Sequence, residues 1–107
     1  MEISKSTHGD FSVFSIHGKI TLEHADEIKE AFLIEVDAGR PKVALDMQNV
    51  SFIDSTGIAA LMSVSRRLTD YNRRLAVFNV PERIMSLFRM LKLNNAVSIC
   101  DSLAEIE

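Results

Sequence analysis

An α/β fold, with an open, mostly parallel sheet and helices packed on it, is predicted by three features of this 107-residue sequence. Short runs rich in Val, Ile and Phe alternate with longer segments whose apolar residues recur every three or four positions. Turn-forming residues stand between the two kinds of segment, and no repeat or low-complexity stretch interrupts the alternation. Strands joined through helices make right-handed crossovers, and such crossovers build a parallel sheet. The expected order is β-β-α-β-α-β-α-β within one domain, residues 1–107, with room for a short C-terminal helix and with the first strand pair at one side of the sheet.

The first strand is short and centred on Ile3. His8-Gly9-Asp10 turns the chain into a second strand, Phe11–His17, which Gly18 ends. A helix is expected from Thr21, a good N-cap, with Glu23 near the positive end of the helix dipole. Its apolar stripe is Ala25, Ile28, Phe32 and Val36, and Gly39 followed by Pro41 stops it. Val43-Ala44-Leu45 reads as a strand covered on both faces. The second helix runs from Thr56 to Tyr71, turning Ile58, Leu61, Val64 and Leu68 inward. Arg74–Val80 is another strand. Pro81 then suits the first turn of a third helix, where its missing N–H costs nothing. That helix packs Ile84, Leu87, Phe88 and Leu91 and ends at Asn94-Asn95. Ala96–Cys100 is the last strand, and Asp101-Ser102 caps a terminal helix ending at Glu107.

Composition narrows the function. Hydrophobic residues are 47% and charged residues 25% of the chain, as in ordinary globular proteins. A net charge of -3 gives no basic field for nucleic acid or an anionic membrane. Cys100 is the only cysteine, which excludes an internal disulfide and fits a reducing compartment. The amino-terminal MEISKSTHGDF lacks the apolar core of a signal peptide, and no apolar run reaches the ~18 residues of a membrane span. The expected location is the cytoplasm, without membrane insertion.

Enzymatic chemistry is poorly served. A hydrolase nucleophile elbow needs Gly-x-Ser-x-Gly, and Ile53-Asp54-Ser55-Thr56-Gly57 lacks the first glycine. None of His8, His17 and His24 is spaced to serve as a base for Ser55. A Cys pair, a His-x-x-x-His and a calcium loop are all missing, and the four glycines are scattered, so neither a metal nor a nucleotide cofactor is expected. The five methionines fit gap-filling in a core better than a binding surface.

The stretch SFIDSTGIAA, residues 51–60, nevertheless asks for an explanation. It sets three polar residues between an apolar run and an apolar helix. The plain explanation is a helix cap; the sharper one is that Ser55 is presented for chemistry. At 100° per residue, Ser55, Ala59, Met62, Arg66 and Arg73 share one stripe of the second helix, about a quarter turn or more from its core stripe. A small residue, a Met and two arginines suit a protein interface, because Met and Arg are enriched there. A solvated face with a stray Met is the competing explanation.

Val43–Val50 (VALDMQNV) followed by Ser51–Leu61 (SFIDSTGIAAL) closely resembles the STAS domain of bacterial anti-sigma factor antagonists. The resemblance extends through Phe14–Ile20, through Asn79–Ile84 and Leu91–Leu93, and to Asp101–Glu105, which is essentially the whole chain. It implies partner switching. The unphosphorylated antagonist binds an anti-sigma factor that is itself a serine kinase, and so frees a sigma factor or other effector. Phosphorylation of the serine matching Ser55 turns the antagonist off, and a serine phosphatase restores it. Asp54, Ser55, Thr56, Gly57, Ala59, Met62 and Arg66 are then the expected partner-binding residues, with Ser55 both the phosphorylation site and the helix cap. The resembling proteins often carry Asp where this chain has Thr21, after Gly18-Lys19-Ile20. The alternative is therefore a scaffold that does not switch, similar to a subunit of a lipid-transport ATPase or of a stressosome. A hydrolase using Ser55 is the remotest reading.

Overall fold

The computed structural model of the protein describes residues 1–105. Two strands, β1 (Glu2–His8) and β2 (Phe11–Ile20), pair antiparallel from Glu2 opposite His17 to His8 opposite Phe11. The chain then runs through α1 (Ala25–Asp37), β3 (Val43–Asp46), β4 (Val50–Ile53), α2 (Ser55–Leu68), β5 (Ala76–Phe78), α3 (Glu82–Met90) and β6 (Ser98–Cys100). The sheet order is β1-β2-β3-β5-β6, with β4 added beside β2 and every pairing after the first parallel. This is the mixed, mostly parallel sheet the sequence predicts, with one strand more.

The extra strand follows from the length of β2. Its Ser12–Ser15 segment pairs with β3, and its Gly18–Ile20 end is left to pair with β4. Gly18 therefore does not end the strand. It adopts φ +111, a conformation that glycine takes easily, and the register to β4 shifts between Gly18 and Lys19.

Side chains alternate across the sheet. Phe14, Ile16, Val43, Leu45 and Val77 meet Ile28, Phe32 and Val36 of α1, Ile58, Leu61, Val64 and Leu68 of α2, and Ile84 and Phe88 of α3 in one core. The Phe14 and Phe32 rings sit 4.3 Å apart, tilted by 43°. Each such large side chain contributes about 1.5–3 kcal/mol by leaving water. The alternate residues Phe11, Val13, Ala44, Ala76 and Phe78 form a smaller cluster with Cys100 and Leu103.

Several boundaries differ from expectation. Thr21 does not cap α1, which starts four residues later at Ala25 after His24, and no side chain caps it. The second helix starts at Ser55 and ends at Leu68; Thr69–Tyr71 is a separate 3₁₀ turn, closed by Asn72 in the left-handed region. Pro81 lies just outside α3 rather than in its first turn, although its carbonyl accepts from Met85 N. Leu91 is 51% exposed rather than buried, because α3 stops at Met90 and Lys92 turns left-handed. Leu93 enters the core in its place. The terminal element is a 3₁₀ turn at Leu103–Glu105, and Glu107 lies outside the described residues.

One polar cluster is built into the core. Glu35 falls on the buried stripe of α1, seven residues after Ile28, and is only 4% exposed. Its carboxylate accepts from Arg40 Nε at 2.9 Å, from Lys5 Nζ at 3.1 Å and from the Ser12 hydroxyl. Arg40 and Ser12 do most to hold the carboxyl down to about 2, against the opposing effect of burial, and Lys5 adds to them. A buried charge otherwise costs several kcal/mol, so three donors make the position tolerable.

Candidate functional site

The start of α2 is assembled around Asp54. Its backbone is extended, with φ -101 and ψ -179, and Oδ1 accepts from Gly57 N at 2.8 Å. Asp54, not Ser55, is therefore the helix cap. Its second oxygen, Oδ2, accepts from the backbone N–H of Leu22 at 3.1 Å. One carboxylate thus fastens the loop before α1 to the first turn of α2, and that loop is where Thr21 lies. The backbone adds a further tie, since Asp54 N donates to the Ile20 carbonyl at 3.2 Å.

Gly57 makes this closeness achievable. A Cβ on Gly57 would lie 2.3 Å from the Ile20 carbonyl oxygen, 2.8 Å from Ile20 Cγ2 and 2.9 Å from Ile53 Cγ1. No larger residue fits while the helix start rests on β2 and β4. The glycine of the Asp-Ser-Thr-Gly stretch is thus a packing requirement.

Ser55 is left free by these arrangements. It is exposed, occupies the first position of α2, and its hydroxyl makes no hydrogen bond among the described residues. Thr56 beside it is half-buried, and Gly57 is buried. An anion added at Ser55 would meet the positive end of the α2 dipole, an interaction worth about 0.3–1 kcal/mol. The Asp54 carboxylate beside it is the one acidic group at this helix start among the described residues, and its two oxygens already accept from Gly57 N and Leu22 N.

Ala59 and Arg66 are exposed along the same side of α2, while Met62 is half-buried and packs against the main core. Met62 therefore supports the core as well as the face, which the helical stripe alone does not indicate. Arg73 does not belong to this face. It lies beyond the helix, with its guanidinium 5.4 Å from the centre of the Phe11 ring. Leu22, 73% exposed, is tied to Asp54 through its backbone N–H, and Phe52, 47% exposed, stands two residues before Asp54 in the chain. Sequence reasoning passed over both. Phe52 could have been found once Val50–Ile53 was read as an edge strand with buried ends; Leu22 carries no local signal, because its place depends on a long-range bond to Asp54.

No helix among the described residues is long and apolar enough to cross a membrane. No group of three or more His, Cys, Asp or Glu side chains among them could hold a metal ion.

A model of the STAS domain matches residues 2–106. Among curated proteins, the anti-sigma-B factor antagonist of Staphylococcus epidermidis is 26% identical over 99 residues, covering 92% of each chain. The crystal structure of an anti-sigma factor antagonist from Mycobacterium paratuberculosis superposes with a TM-score of 0.86 at 19% identity, covering 98% of this chain and 89% of that one. The phosphorylated form of the Bacillus cell fate determinant SpoIIAA superposes with a TM-score of 0.75 at 16% identity, covering 97% of this chain and 94% of that one. At those identities the solved structures speak for the fold alone. The match to the family model, spanning nearly every residue, carries the assignment: this chain belongs to the STAS domain family.

Proposed function

We propose that the chain is an anti-sigma factor antagonist that works by partner switching. Unphosphorylated, it binds an anti-sigma factor serine kinase and releases that factor's sigma factor or other effector. Phosphorylation of Ser55 turns it off, and a serine phosphatase restores it. The chain acts by binding and has no catalytic step of its own, and its place of work is the cytoplasm. The observation that carries this reading is the free, exposed hydroxyl of Ser55 at a helix start that Asp54 has already capped. A kinase can reach such a hydroxyl without unfolding the helix, and a phosphate of roughly -1.5 to -2 charge is tolerated there. The names of the staphylococcal relatives support the same assignment. Ser55, Ala59, Met62 and Arg66 form the contact face, with Thr56 at its edge and Asp54 and Gly57 as its framework.

The test is to incubate the protein with ATP and its cognate kinase and to locate the phosphate by mass spectrometry. Phosphate on Ser55, lost in Ser55→Ala, is the expected result. Phosphate on Thr56, or an equally modified Ser55→Ala protein, overturns the assignment. Thr21, where the resembling proteins often carry Asp, keeps the scaffold as the second reading, and a chain that the kinase binds and never modifies supports it.

A further inference from the structure

We infer that a groove beside the second half of α2 seats an acidic segment of the partner kinase, with Arg66 taking its carboxylate. This rests on the reading above and specifies the chemistry of the partner. The groove lies between α2 and the Asn95-Ala96 segment that leads into β6; Met62, Ser65 and Arg66 line it from α2, Thr69 from just beyond that helix, and Arg74 from the side of the Asn95-Ala96 segment. Among the described residues no Asp or Glu lines it, in a chain whose net charge is -3.

Its two cations are in different states. Arg74 is fixed, because its guanidinium donates to the carbonyls of Asn94, Ala96 and Val97, none of which neutralises its charge. Arg66 is exposed and, among the described residues, its guanidinium has neither an ion pair nor a hydrogen bond. The adjacent Arg67 is by contrast committed to Asp37 at 2.7 Å. The wall is well ordered by Ser65, whose hydroxyl donates to the Ala96 carbonyl and accepts from Leu75 N at 3.1 Å.

Charge complementarity selects an anionic occupant, and the rest of the lining selects a protein one. Met62 and Ala96 are half-buried, apolar and packed on the core, so they offer area to an apolar side chain. The C-terminal end of α2 carries partial negative charge, which disfavours a small free anion. A carboxylate carried on a segment that also covers Met62 overcomes this through the apolar contact. Arg66 follows Ala59 by seven residues and Met62 follows Ser55 by seven, so one partner surface spans both the groove and the serine.

The purified cognate kinase is titrated calorimetrically into the wild type, Arg66→Glu, Arg66→Lys and Arg89→Glu. Arg89 is exposed on α3 outside the groove and controls for net charge. We expect Arg66→Glu to weaken binding by about tenfold or more, with Arg66→Lys and Arg89→Glu each within about threefold of wild type. Raising salt from roughly 0.05 to 0.3 M should weaken wild type more than Arg66→Glu. Unchanged melting temperatures show that the fold is intact. If the kinase phosphorylates Ser55 but binds Arg66→Glu as tightly as wild type, or no worse than Arg89→Glu, the groove is not the acidic site and the switching reading stands. If it neither binds nor phosphorylates the wild type, the switching reading fails and the groove proposal falls with it.

Discussion

Asp54 and Glu35 are each the centre of a polar cluster, but they hold different things. Asp54 is half-buried and binds two backbone N–H groups, those of Gly57 and Leu22. Glu35 is almost fully buried and binds three side chains, those of Arg40, Lys5 and Ser12. Backbone partners fix the course of the chain, so Asp54 sets where α2 begins and how Ser55 is presented. Side-chain partners neutralise a charge, so Glu35 joins α1 to β1, to β2 and to the Arg40 loop without presenting anything. Perturbed acids cluster at functional sites in general. Here the carboxyl held well below its ordinary range is the structural one, Glu35, and the serine proposed as the switch sits beside the other.

Four substitutions test this contrast in falling order of effect. Gly57→Ala attacks the framework of the Asp54 cluster directly, since the Ile20 carbonyl cannot move away without breaking its bond to Asp54 N. It should cost about 3 kcal/mol or more, as severe overpacking does, read as a drop in the urea midpoint. A loss under about 1 kcal/mol would mean that the helix start shifts freely.

Glu35→Gln tests the other cluster. The folded carboxyl sits at about 2, below its ordinary 4.5. Its contribution is therefore complete above about pH 4.5 and is lost as pH falls towards 2. Lys5 and Arg40 are half-exposed, which screens the pairs. Allowing for that screening, a loss of about 2 kcal/mol at neutral pH is expected. Stability of the variant should also vary less with pH between about 2 and 5. Binding to the kinase should not change at all, which distinguishes this cluster from the Asp54 one.

Asp54→Ala removes a cap and the tie to Leu22, and should cost about 1–2 kcal/mol. Amide hydrogen exchange should show Leu22 and Gly57 losing protection together; protection retained at Leu22 would break the link between loop and helix. Ser55→Ala is the smallest change. Because the cap is Asp54, stability should stay within about 0.5 kcal/mol of wild type. A loss of 1 kcal/mol or more in the same urea titration would return the capping role to Ser55.

Much of the architecture was legible in the sequence, because wherever a helix buries one face its apolar spacing is visible. Ile28, Phe32 and Val36, or Ile58, Leu61, Val64 and Leu68, are examples. What escaped depends on pairing between distant segments. The strand Val50–Ile53 buries its first and last residues, three apart, because the register shifts at Gly18, and so it shows no alternation. Thr21 looked like a cap because Ser, Thr and Asp all suit that position, and only the bond from Leu22 N to Asp54 shows that the loop is held from elsewhere. The same ambiguity hid the cap inside Asp54-Ser55. Glu35 did leave a trace, as a lone carboxylate at heptad spacing from Ile28 on a buried stripe. Its meaning required Lys5, Ser12 and Arg40, which lie up to 30 residues away.

The proposed switch rests on where a charge is tolerated. The direct measurement is the affinity of the chain phosphorylated on Ser55 for the cognate kinase, taken beside the melting profile of the same sample and compared with the unmodified chain. A misplaced charge at an interface costs several kcal/mol, whereas an anion at a helix start is mildly stabilising. Phosphorylation should therefore weaken binding by about tenfold or more while the melting temperature stays the same or rises slightly. Undiminished binding by the phosphorylated chain would contradict the account and leave the scaffold. Weaker binding with a collapsed melting transition would contradict it as well, by showing that the switch works through folding.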